Sequence, residues 1–422
     1  FRRTKEPLTG SRLHSLFTEQ LKVFRREMLH HDPVPDDRMN ILFLSAHAFL
    51  PTTRKTSVHF VSEALAARGH TVETISVGYS HLSYFKKGDL YRQFTPQRNR
   101  FVERAPRYRP ACYLPPLHPF SSGSPLFDRI MPPFFRLYGN VLPRFIKEAI
   151  QRADTVAIES GTAITFFDAV HRTNPAARTL YFARDRLDTV GACAYLQRLE
   201  RQIAPLFNRI VVPSARMATQ FPPGSRVAVV PQGIDKAGFD AATVSPCAAG
   251  SKNAIAVGNM LFDRKAVIEM ARAAPEIGFH LFGTGIPRDF PENVRVYGER
   301  SFSEIIPYIK FADFGLAPYR LSERELYLAE SSLKMQQYSY CLLPILAPDL
   351  MEDSRANIIA YVQETETDWS GKVRKAATMP HDPVWREDIL TWDEVANRIE
   401  VELDRSEGAQ QTARRPAYER GD

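Results

Sequence analysis

The sequence predicts an α/β protein with two doubly wound domains. Short buried-strand runs alternate with helical runs, the alternation occurs in two series, and a small polar segment at 236–252 separates the two. Alternating strands and helices form parallel sheets that are covered by helices on both faces. The two domains are expected to face a central cleft.

Composition excludes several classes of protein. The chain has 422 residues, enough for two or three domains, and is 44% hydrophobic and 24% charged, as is typical of globular proteins. Its four cysteines form no C-x-x-C pair, which argues against disulfide scaffolds, zinc ribbons and redox sites. No apolar run approaches the length of a spanning helix, and no secretory signal is recognisable. A reduced cytoplasmic location is predicted.

Residues 1–38 are predicted to form an amphipathic basic extension that ends in a linker. Apolar residues recur near helical spacing with arginines and a lysine between them, and 30–37 is rich in proline and aspartate. Such a segment suits either an anionic membrane surface or a helix packed on the first domain.

The first domain is predicted over 39–235. Strand Ile41–Leu44, helix Val58–Ala67 and strand Val72–Val77 make a βαβ unit. A proline-rich basic segment, 85–135, interrupts the alternation. It resumes with a helix at 162–171 and with strands at 155–158, 179–183, 209–212 and 227–230.

Positive charge is concentrated in one segment of this domain. The whole chain carries a formal charge of +7, whereas 85–110 alone has eight basic and two acidic side chains, interleaved with aromatic residues. This pattern indicates an anionic partner such as a phosphoanhydride or a lipid headgroup, or else a solvated loop. No nucleic-acid-binding module frames it, so no nucleic acid is expected.

The second domain is predicted over 236–404, and its last helices are expected to pack back on the first domain. Polar residues 405–422 are predicted to form a disordered tail. The strands of this second series are predicted at 254–257, 280–282, 294–296, 314–317 and 344–346.

Asp185 is the candidate general base. It follows the strand at 179–183, and ligands of open α/β sheets bind beyond the carboxyl ends of strands. A carboxylate there could take a proton from a hydroxyl nucleophile, with Arg184 and Arg186 holding it ionised. The alternative is a surface ion pair.

Other polar residues of the first domain also follow strands. His47 and Phe49 come after the first strand, and Glu159 precedes a helix, where a carboxylate is favoured by the helix dipole. Arg184 follows a strand in the same way. His47 and His59 also suit capping or core positions.

Gly283-Thr284-Gly285 ends a strand of the second series. Two glycines allow a backbone to approach a ligand closely, although a plain turn has the same pattern. The third glycine of a dinucleotide-binding fingerprint is absent, and so is a phosphate-binding P-loop.

Glu330-Ser331-Ser332-Leu333-Lys334 predicts the start of a helix. Serines at this position cap a helix whose free N–H groups attract an anion, and Lys334 would add charge to a phosphate or carboxylate site. An ordinary capped surface helix is the alternative. The chain contains no D-x-D, H-E-x-x-H or Cys/His cluster, so no metal site is predicted.

A series of motifs between about residues 40 and 346 resembles glycosyltransferase family 70, the GumK-type β-glucuronosyltransferases of the xanthan pathway. The motifs are Ser45-x-His47-x-Phe49, His59-Phe60, Glu159-Ser160-Gly161-x-Ala163, Arg172-x-Asn174-Pro175-Ala176-Ala177, Asp185-x-Leu187, Ala256-Val257-Gly258-x-Met260-Leu261-Phe262-Asp263, Val296-Tyr297-Gly298-Glu299, Tyr308-Ile309-Lys310, Ala317-Pro318-Tyr319, Tyr327-Leu328-Ala329-x-Ser331-Ser332-x-Lys334 and Gln337-Tyr338.

The resemblance implies a GT-B fold and inverting transfer without a metal or other cofactor. Its donor would be UDP-glucuronate, and its acceptor a polyprenyl-diphosphate-linked oligosaccharide of exopolysaccharide synthesis. The enzyme would be peripheral, at the cytoplasmic face of the inner membrane. Asp185 matches the catalytic base. The acceptor side of the site is expected to include His47, Phe49, Glu159 and Arg184. The positions that match the family's UDP-binding residues are Met260, Glu299, Tyr319, Leu328, Ser332, Lys334 and Gln337. Gly283, Gly285 and Ser331 are added to the predicted donor site because of the glycine turn and the helix start described above.

The sequence departs from the family at several of these positions. Arg184 and Arg186 replace serine and glycine beside the base, and Glu330 and Leu333 replace aspartate and methionine. These differences leave another UDP-sugar donor as an alternative. A UDP-sugar epimerase and a non-catalytic nucleotide-sugar binder are further alternatives.

Overall fold

The computed structural model describes residues 38–50, 55–81, 83–86, 88–120, 124–284, 289–363, 365 and 367–410. They belong to two compact units. The N-terminal unit is Arg38–Pro231 together with the chain from Trp392 onward, and the C-terminal unit is Gln232–Thr391. Apart from Arg38, the predicted extension at 1–38 lies outside the described residues.

The N-terminal unit contains a seven-stranded parallel sheet in the order β3-β2-β1-β4-β5-β6-β7. The direction of the order reverses between β1 and β4, as in a doubly wound sheet. The strands are β1 (Asn40–Ser45), β2 (Thr71–Ser76), β3 (Tyr108–Cys112), β4 (Thr155–Glu159), β5 (Arg178–Phe182), β6 (Arg209–Val212) and β7 (Val227–Val229).

The helices of this unit connect successive strands. They are α1 (Ser57–Ala67), α2 (Ser83–Lys86), α3 (Gly88–Gln93), α4 (Pro125–Ile130), α5 (Pro132–Asn140), α6 (Arg144–Arg152), α7 (Phe167–Thr173), α8 (Ala194–Ile203) and α9 (Ala215–Ala218). The helix that the sequence predicts at 162–171 is a 3-10 turn, Thr162–Phe166, followed by α7.

Helix α1 shows how local sequence sets an element. Thr56 and His59 form a capping box at its start, and Val58, Val61 and Leu65 bury one face. The helix ends before Gly69, whose φ of 104° is left-handed backbone that favours glycine. Its bounds agree with the predicted helix to within one residue.

Strand β3 was not predicted, because it lies in the proline-rich segment 85–135. It contains Pro110 and lies at the edge of the sheet, where β2 is its one neighbour among the described strands. Proline cannot donate to a central ladder but is tolerated in an edge strand. The prediction that 85–135 interrupts the alternation of strands and helices was therefore wrong for β3. It was also wrong for helices α2 to α5, which lie in or adjoin this segment.

The chain returns to the N-terminal unit through helix α16 (Trp392–Gln410). Arg68 donates to both carboxylate oxygens of Glu400 at 2.8 and 2.7 Å, and Arg209 pairs with Glu402. The helix extends beyond position 405, where the sequence predicts a disordered tail. Residues 411–422 lie outside the described residues.

The C-terminal unit contains a six-stranded parallel sheet in the order β11-β10-β9-β12-β13-β14, which again reverses once, between β9 and β12. A separate two-stranded pair joins β8 (Gly233–Ile234) to β15 (Leu390–Thr391). The strands of the main sheet are β9 (Lys252–Val257), β10 (Ile277–Phe282), β11 (Val294–Gly298), β12 (Phe314–Leu316), β13 (Ile345–Pro348) and β14 (Ile358–Tyr361).

Helices also cover this second sheet. The segment 236–252, predicted to be a linker, begins with a helix whose N-cap Asp235 accepts from the N–H of Gly238 at 3.0 Å. The helices are α10 (Lys236–Ala241), α11 (Arg264–Ala273), α12 (Phe302–Lys310), α13 (Tyr327–Ser331), α14 (Leu333–Tyr340) and α15 (Trp369–Thr378). Within the described residues, no helix is long and apolar enough to span a membrane.

Close packing against β12 leads to a prediction for Gly315. A Cβ atom there would lie 2.3 Å from the ring of Tyr338, whose hydroxyl bonds the backbone of Val257 and Ile255 at 3.2 Å each. We expect Gly315→Ala to lower the free energy of unfolding of the C-terminal unit by about 1–3 kcal/mol, because the ring must move. Urea unfolding measures this. Gly88→Ala, whose Cβ would have 3.9 Å of clearance, is the control, and an equal loss in both variants would contradict the prediction.

Candidate functional site

The loops that carry the predicted donor residues follow β9, β10, β11 and β12 of the C-terminal unit. Strands β9 and β12 flank the point where the sheet order reverses, which is where open α/β sheets bind ligands. Two backbone contacts join their loops: Asp263 donates to the carbonyl of Pro318 at 2.6 Å, and Arg320 donates to that of Leu261 at 2.7 Å.

Glycines shape two of these strand ends. Gly258 and Gly283 both have left-handed backbone, with φ of 85° and 70°. A Cβ on Gly283 would stand 3.4 Å from the Cα of Gly258, so the two turns lie against each other. The small residues leave backbone accessible at this edge, as a close approach to a ligand requires. Gly285 lies outside the described residues.

Tyr319, Ser332 and Lys334 come together beyond β12. The Tyr319 hydroxyl and the Ser332 Oγ are 2.7 Å apart, and the Lys334 ammonium lies 4.3 Å from the centre of the Tyr319 ring. All three side chains are buried, with Lys334 only 9% exposed. A buried ammonium held over an aromatic face is a fixed positive charge, suited to an anionic group.

The serines of this motif do not cap the helix in the way the sequence predicts. Ser332 occupies the N-cap position of α14, but its side chain makes no capping hydrogen bond and contacts Tyr319 instead. Ser331 is the last residue of α13. The N–H groups in the first turn of α14 have no partner within the helix, and Lys334 lies in that turn.

The remaining predicted donor residues differ in exposure. Met260 is 38% exposed beyond β9, and Glu299 is exposed after β11. Leu328 and Gln337 are each 4% exposed, on α13 and α14. Met260 and Glu299 therefore offer accessible side chains, while Leu328 and Gln337 support the helices that carry Ser332 and Lys334.

Two further residues of this unit were not singled out from the sequence. Thr284 is 5% exposed and, among the described residues, its hydroxyl has no hydrogen-bond partner. Its position between Gly283 and Gly285 was the sequence feature that could have identified it. Burial lowers the pKa of Arg355 to about 10, although the charge of Glu330 opposes that effect. No sequence motif marks Arg355.

In the N-terminal unit, β1 and β4 flank the equivalent reversal point, and Ser45 and Glu159 end these two strands. The Ser45 Oγ donates a short hydrogen bond to Glu159 Oε2. His47 donates its backbone N–H to the Ser45 Oγ at 2.9 Å, and its Nε2 lies 3.6 Å from Glu159 Oε1. The Glu159 side chain is 5% exposed and that of His47 is 47% exposed. The structure thus connects a buried carboxyl to a half-exposed imidazole.

Glu159 and Arg184 carry strongly perturbed charges. Burial raises the pKa of Glu159 to about 7, against the opposing effects of the Ser45 hydrogen bond and the Arg184 charge. Burial likewise lowers the pKa of Arg184 to about 9, while the charges of Glu159 and Asp185 act to raise it. Perturbed groups at a strand end are characteristic of functional sites.

Asp185 lies in a bend just beyond β5 and is partly exposed. The sequence predicts that both flanking arginines hold it ionised, and the structure separates their roles. Arg186 donates to both oxygens of Asp188 at 3.0 and 2.7 Å. Arg184 turns inward, 3.9 Å from the Phe182 ring centre, and its Nη1 donates to the carbonyl of Val230 at 3.2 Å.

His59 and Phe49 are parts of the core. The His59 Nδ1 accepts from the backbone N–H of Thr56 at 3.1 Å, and its Nε2 lies 3.0 Å from the carbonyl of Ala48. Phe49 is 1% exposed, and its ring centre is 4.7 Å from that of His59. The capping alternative therefore applies to His59.

The buried His59 leads to a pH prediction. Burial lowers its pKa from 6.5 to about 4, so the unfolded chain binds an extra proton between these values. The contribution of His59 to stability should therefore fall by about 2 kcal/mol as the pH falls from 7 to 5. Urea unfolding of the wild type and His59→Gln, which keeps a donor for Ala48, measures this contribution. The stability of the variant relative to the wild type should rise by this amount as the pH falls, and an unchanged difference would contradict the assignment.

Among the described residues, no group of three or more His, Cys, Asp or Glu side chains is placed to hold a metal ion. The charged side chains at the two strand-end sites include Lys334, Arg184, Glu159 and Asp185.

The sequence of this chain is similar to that of GumK-type glucuronosyltransferases. Residues 43–213 match the N-terminal domain of the glucuronosyltransferase GumK. The UDP-glucuronate:glycolipid 2-beta-glucuronosyltransferase of Xanthomonas campestris pv. campestris is 32% identical over 362 residues, which cover 85% of this chain and 88% of that protein.

Solved structures agree at the level of the fold. Anabaena HepE, in complex with UDP and glucose, aligns with a TM-score of 0.60 and 12% identity over 87% of this chain and 100% of HepE. AviGT4, a glycosyltransferase of avilamycin A biosynthesis, aligns with a TM-score of 0.51 and 12% identity over 87% of this chain and 97% of its own. The sequence places this chain in the GumK glucuronosyltransferase family, and the fold is a GT-B architecture of two Rossmann-like domains.

Proposed function

We propose that this protein transfers glucuronic acid from UDP-glucuronate to a polyprenyl-diphosphate-linked oligosaccharide during exopolysaccharide synthesis. The observation that carries the proposal is the buried group of Tyr319, Ser332 and Lys334 beyond β12, a fixed positive charge at a ligand-binding edge. The Xanthomonas relative is named for UDP-glucuronate, and both the diphosphate and the carboxylate of this donor are anionic groups that such a charge suits.

The C-terminal unit binds the donor in this proposal. Lys334 and the first-turn N–H groups of α14 stabilise the negative charge that develops on the departing UDP. Gly258 and Gly283 let the backbone approach the nucleotide. Because these groups supply positive charge, the transfer requires no metal ion or other cofactor.

The N-terminal unit provides the base. Asp185 accepts the proton of the acceptor hydroxyl. The oxygen of this hydroxyl forms a bond to the anomeric carbon of the donor, and the bond between that carbon and the UDP oxygen breaks. Attack from the face opposite UDP inverts the configuration, giving a β-glucuronide from an α-linked donor. The products are the glucuronosylated acceptor, UDP and a proton on Asp185.

A lipid-linked acceptor requires access to a membrane surface. Residues 126–141 expose Leu126, Ile130, Leu137 and Val141 at 60–74%, beside the exposed Arg129 and Arg136. Apolar side chains with adjacent cations are typical of proteins that lie on an anionic bilayer. This surface supports peripheral attachment at the cytoplasmic face of the inner membrane.

The proposed function is tested by incubating the full chain with radiolabelled UDP-glucuronate and a membrane lipid extract in the presence of EDTA. Label should enter the lipid fraction, and NMR of the released glycan should show a β linkage. Labelling that stops with EDTA would contradict metal independence. An α linkage would contradict inversion. Label transfer from another UDP-sugar alone would support the alternative donor, and conversion of the donor without lipid would support an epimerase.

A further inference from the structure

The buried guanidinium of Arg184 is the one strongly perturbed cation next to the proposed base in the described part of the chain. Arg184 is 4% exposed, is stacked on Phe182 and is bonded to the carbonyl of Val230. Its Nε and Nη2 are sealed from solvent and have no hydrogen-bond partner among the described residues. The group is therefore held in place without its charge being neutralised by a direct hydrogen bond to a carboxylate.

Two carboxylates, at the ends of different strands, interact electrostatically with the Arg184 guanidinium. Glu159 ends β4, which is paired directly with β5, and Asp185 follows Arg184 in the chain. Both carboxylates act on the guanidinium through their charge, and Arg184 in turn favours the ionised form of Glu159. Because a buried charge is screened little by salt or water, its effect on these neighbours is strong.

We propose that Arg184 is a positioning residue of the transfer reaction, which holds Asp185 in the ionised form that accepts the proton. The same positive charge also favours the ionised form of Glu159. The proposal rests on the proposed function. In this proposal Arg184 does not touch the reacting atoms, since its free N–H groups are buried. Its effect is to extend to lower pH the range in which the Asp185 carboxyl is ionised and can accept a proton.

Other charged groups lie at this end of the sheet, so the test must separate their effects from that of Arg184. Arg186 is paired with Asp188, and Asp188 also acts on the half-buried Glu200. His47 stands in front of Glu159. The charged groups to be considered around Asp185 are Arg184, Arg186, Glu159, His47, Asp188 and Glu200.

The test compares the pH dependence of kcat/KM in the wild type, Glu159→Gln and the double variant Glu159→Gln/Arg184→Met. The two variants differ only in the guanidinium, and the double variant leaves no unpaired Glu159 charge in the interior. Loss of the cation should raise the pKa of Asp185, so the acidic limb of the double variant should move up by about one pH unit relative to Glu159→Gln. Relative to Glu159→Gln, activity should therefore fall about tenfold at pH values well below both acidic limbs, and the difference should disappear on the plateau above them.

Arg186→Met is the matched control, because it removes the other flanking cation, whose charge Asp188 already neutralises. Its acidic limb should not move. A uniform loss of activity without a shift in the double variant, or an equal shift in Arg186→Met, would overturn the proposal. Complete loss in Glu159→Gln with UDP binding intact would overturn it too, since Glu159 would then be the base.

A second measurement does not depend on turnover. The Asp185 carboxyl is titrated by carbon-13 NMR in aspartate-labelled protein, with its signal assigned from Asp185→Asn. The same upward shift of its pKa is expected in the double variant relative to Glu159→Gln, and an unchanged pKa would overturn the role of Arg184. If the wild type binds UDP but does not turn over UDP-glucuronate, the proposed function fails, and this titration still decides the electrostatic claim.

Discussion

Asp185→Asn should lower kcat by about 10²- to 10⁴-fold, the range that a positioned general base contributes. The amide has the size of the carboxyl but does not accept the acceptor's proton. Affinity for UDP should change by less than about twofold, because the groups proposed to bind UDP lie on the C-terminal unit. Steady-state UDP release and calorimetric binding of UDP measure the two quantities.

Asp188→Asn is the control for this change. Asp188 lies three positions further along and pairs with Arg186, so its loss should affect turnover far less than the loss of Asp185. If Asp185→Asn kept wild-type turnover, Asp185 would not be the base. Glu159, which is buried with a pKa of about 7, would then be the next candidate.

Lys334→Gln should weaken UDP binding by about 10- to 100-fold, as expected when a charge-assisted contact worth about 1.5–3 kcal/mol is lost. The ammonium is 9% exposed and fixed over Tyr319, so no mobile counterion replaces it readily. Glutamine retains much of the length of the side chain but not its charge. Calorimetric titration with UDP gives the affinity directly.

Lys265→Gln serves as the matched control for the lysine change. Lys265 is on the same unit, but its side chain is 72% exposed and pairs with Glu269 at 3.8 Å. This exchange should leave UDP affinity within about twofold of the wild type, because exposed ion pairs contribute little. Equal weakening in both variants would show a general effect of charge rather than a site at Lys334.

The sequence predicted most of the fold because its central strands are continuous apolar runs. Ile41–Leu44 and Ala254–Val257 lie within β1 and β9 at the centres of the two sheets. Such runs form strands that are covered on both faces. The edge strand β3 was missed because Pro110 and flanking charges interrupt its pattern, and α10 was missed because its cap at Asp235 precedes a short, small-residue helix.

The candidate site was predictable only in part. The motifs placed Tyr319 after a strand and Ser332 and Lys334 at the start of a helix, but they did not show that the Ser332 hydroxyl contacts Tyr319 instead of capping α14. That choice depends on a tertiary contact between residues thirteen positions apart. In the same way, the inward turn of Arg184 follows from Phe182 and Val230, and local sequence alone does not distinguish it from Arg186.

The most direct test of the central claim is UDP release by the full chain with UDP-glucuronate, UDP-glucose and UDP-galactose in turn, with membrane lipid extract as acceptor. Release is expected with UDP-glucuronate, should depend on the lipid, and should fall by at least about a hundredfold in Asp185→Asn. Equal release from UDP-glucose, or release from UDP-glucuronate that survives the loss of Asp185, would contradict the account.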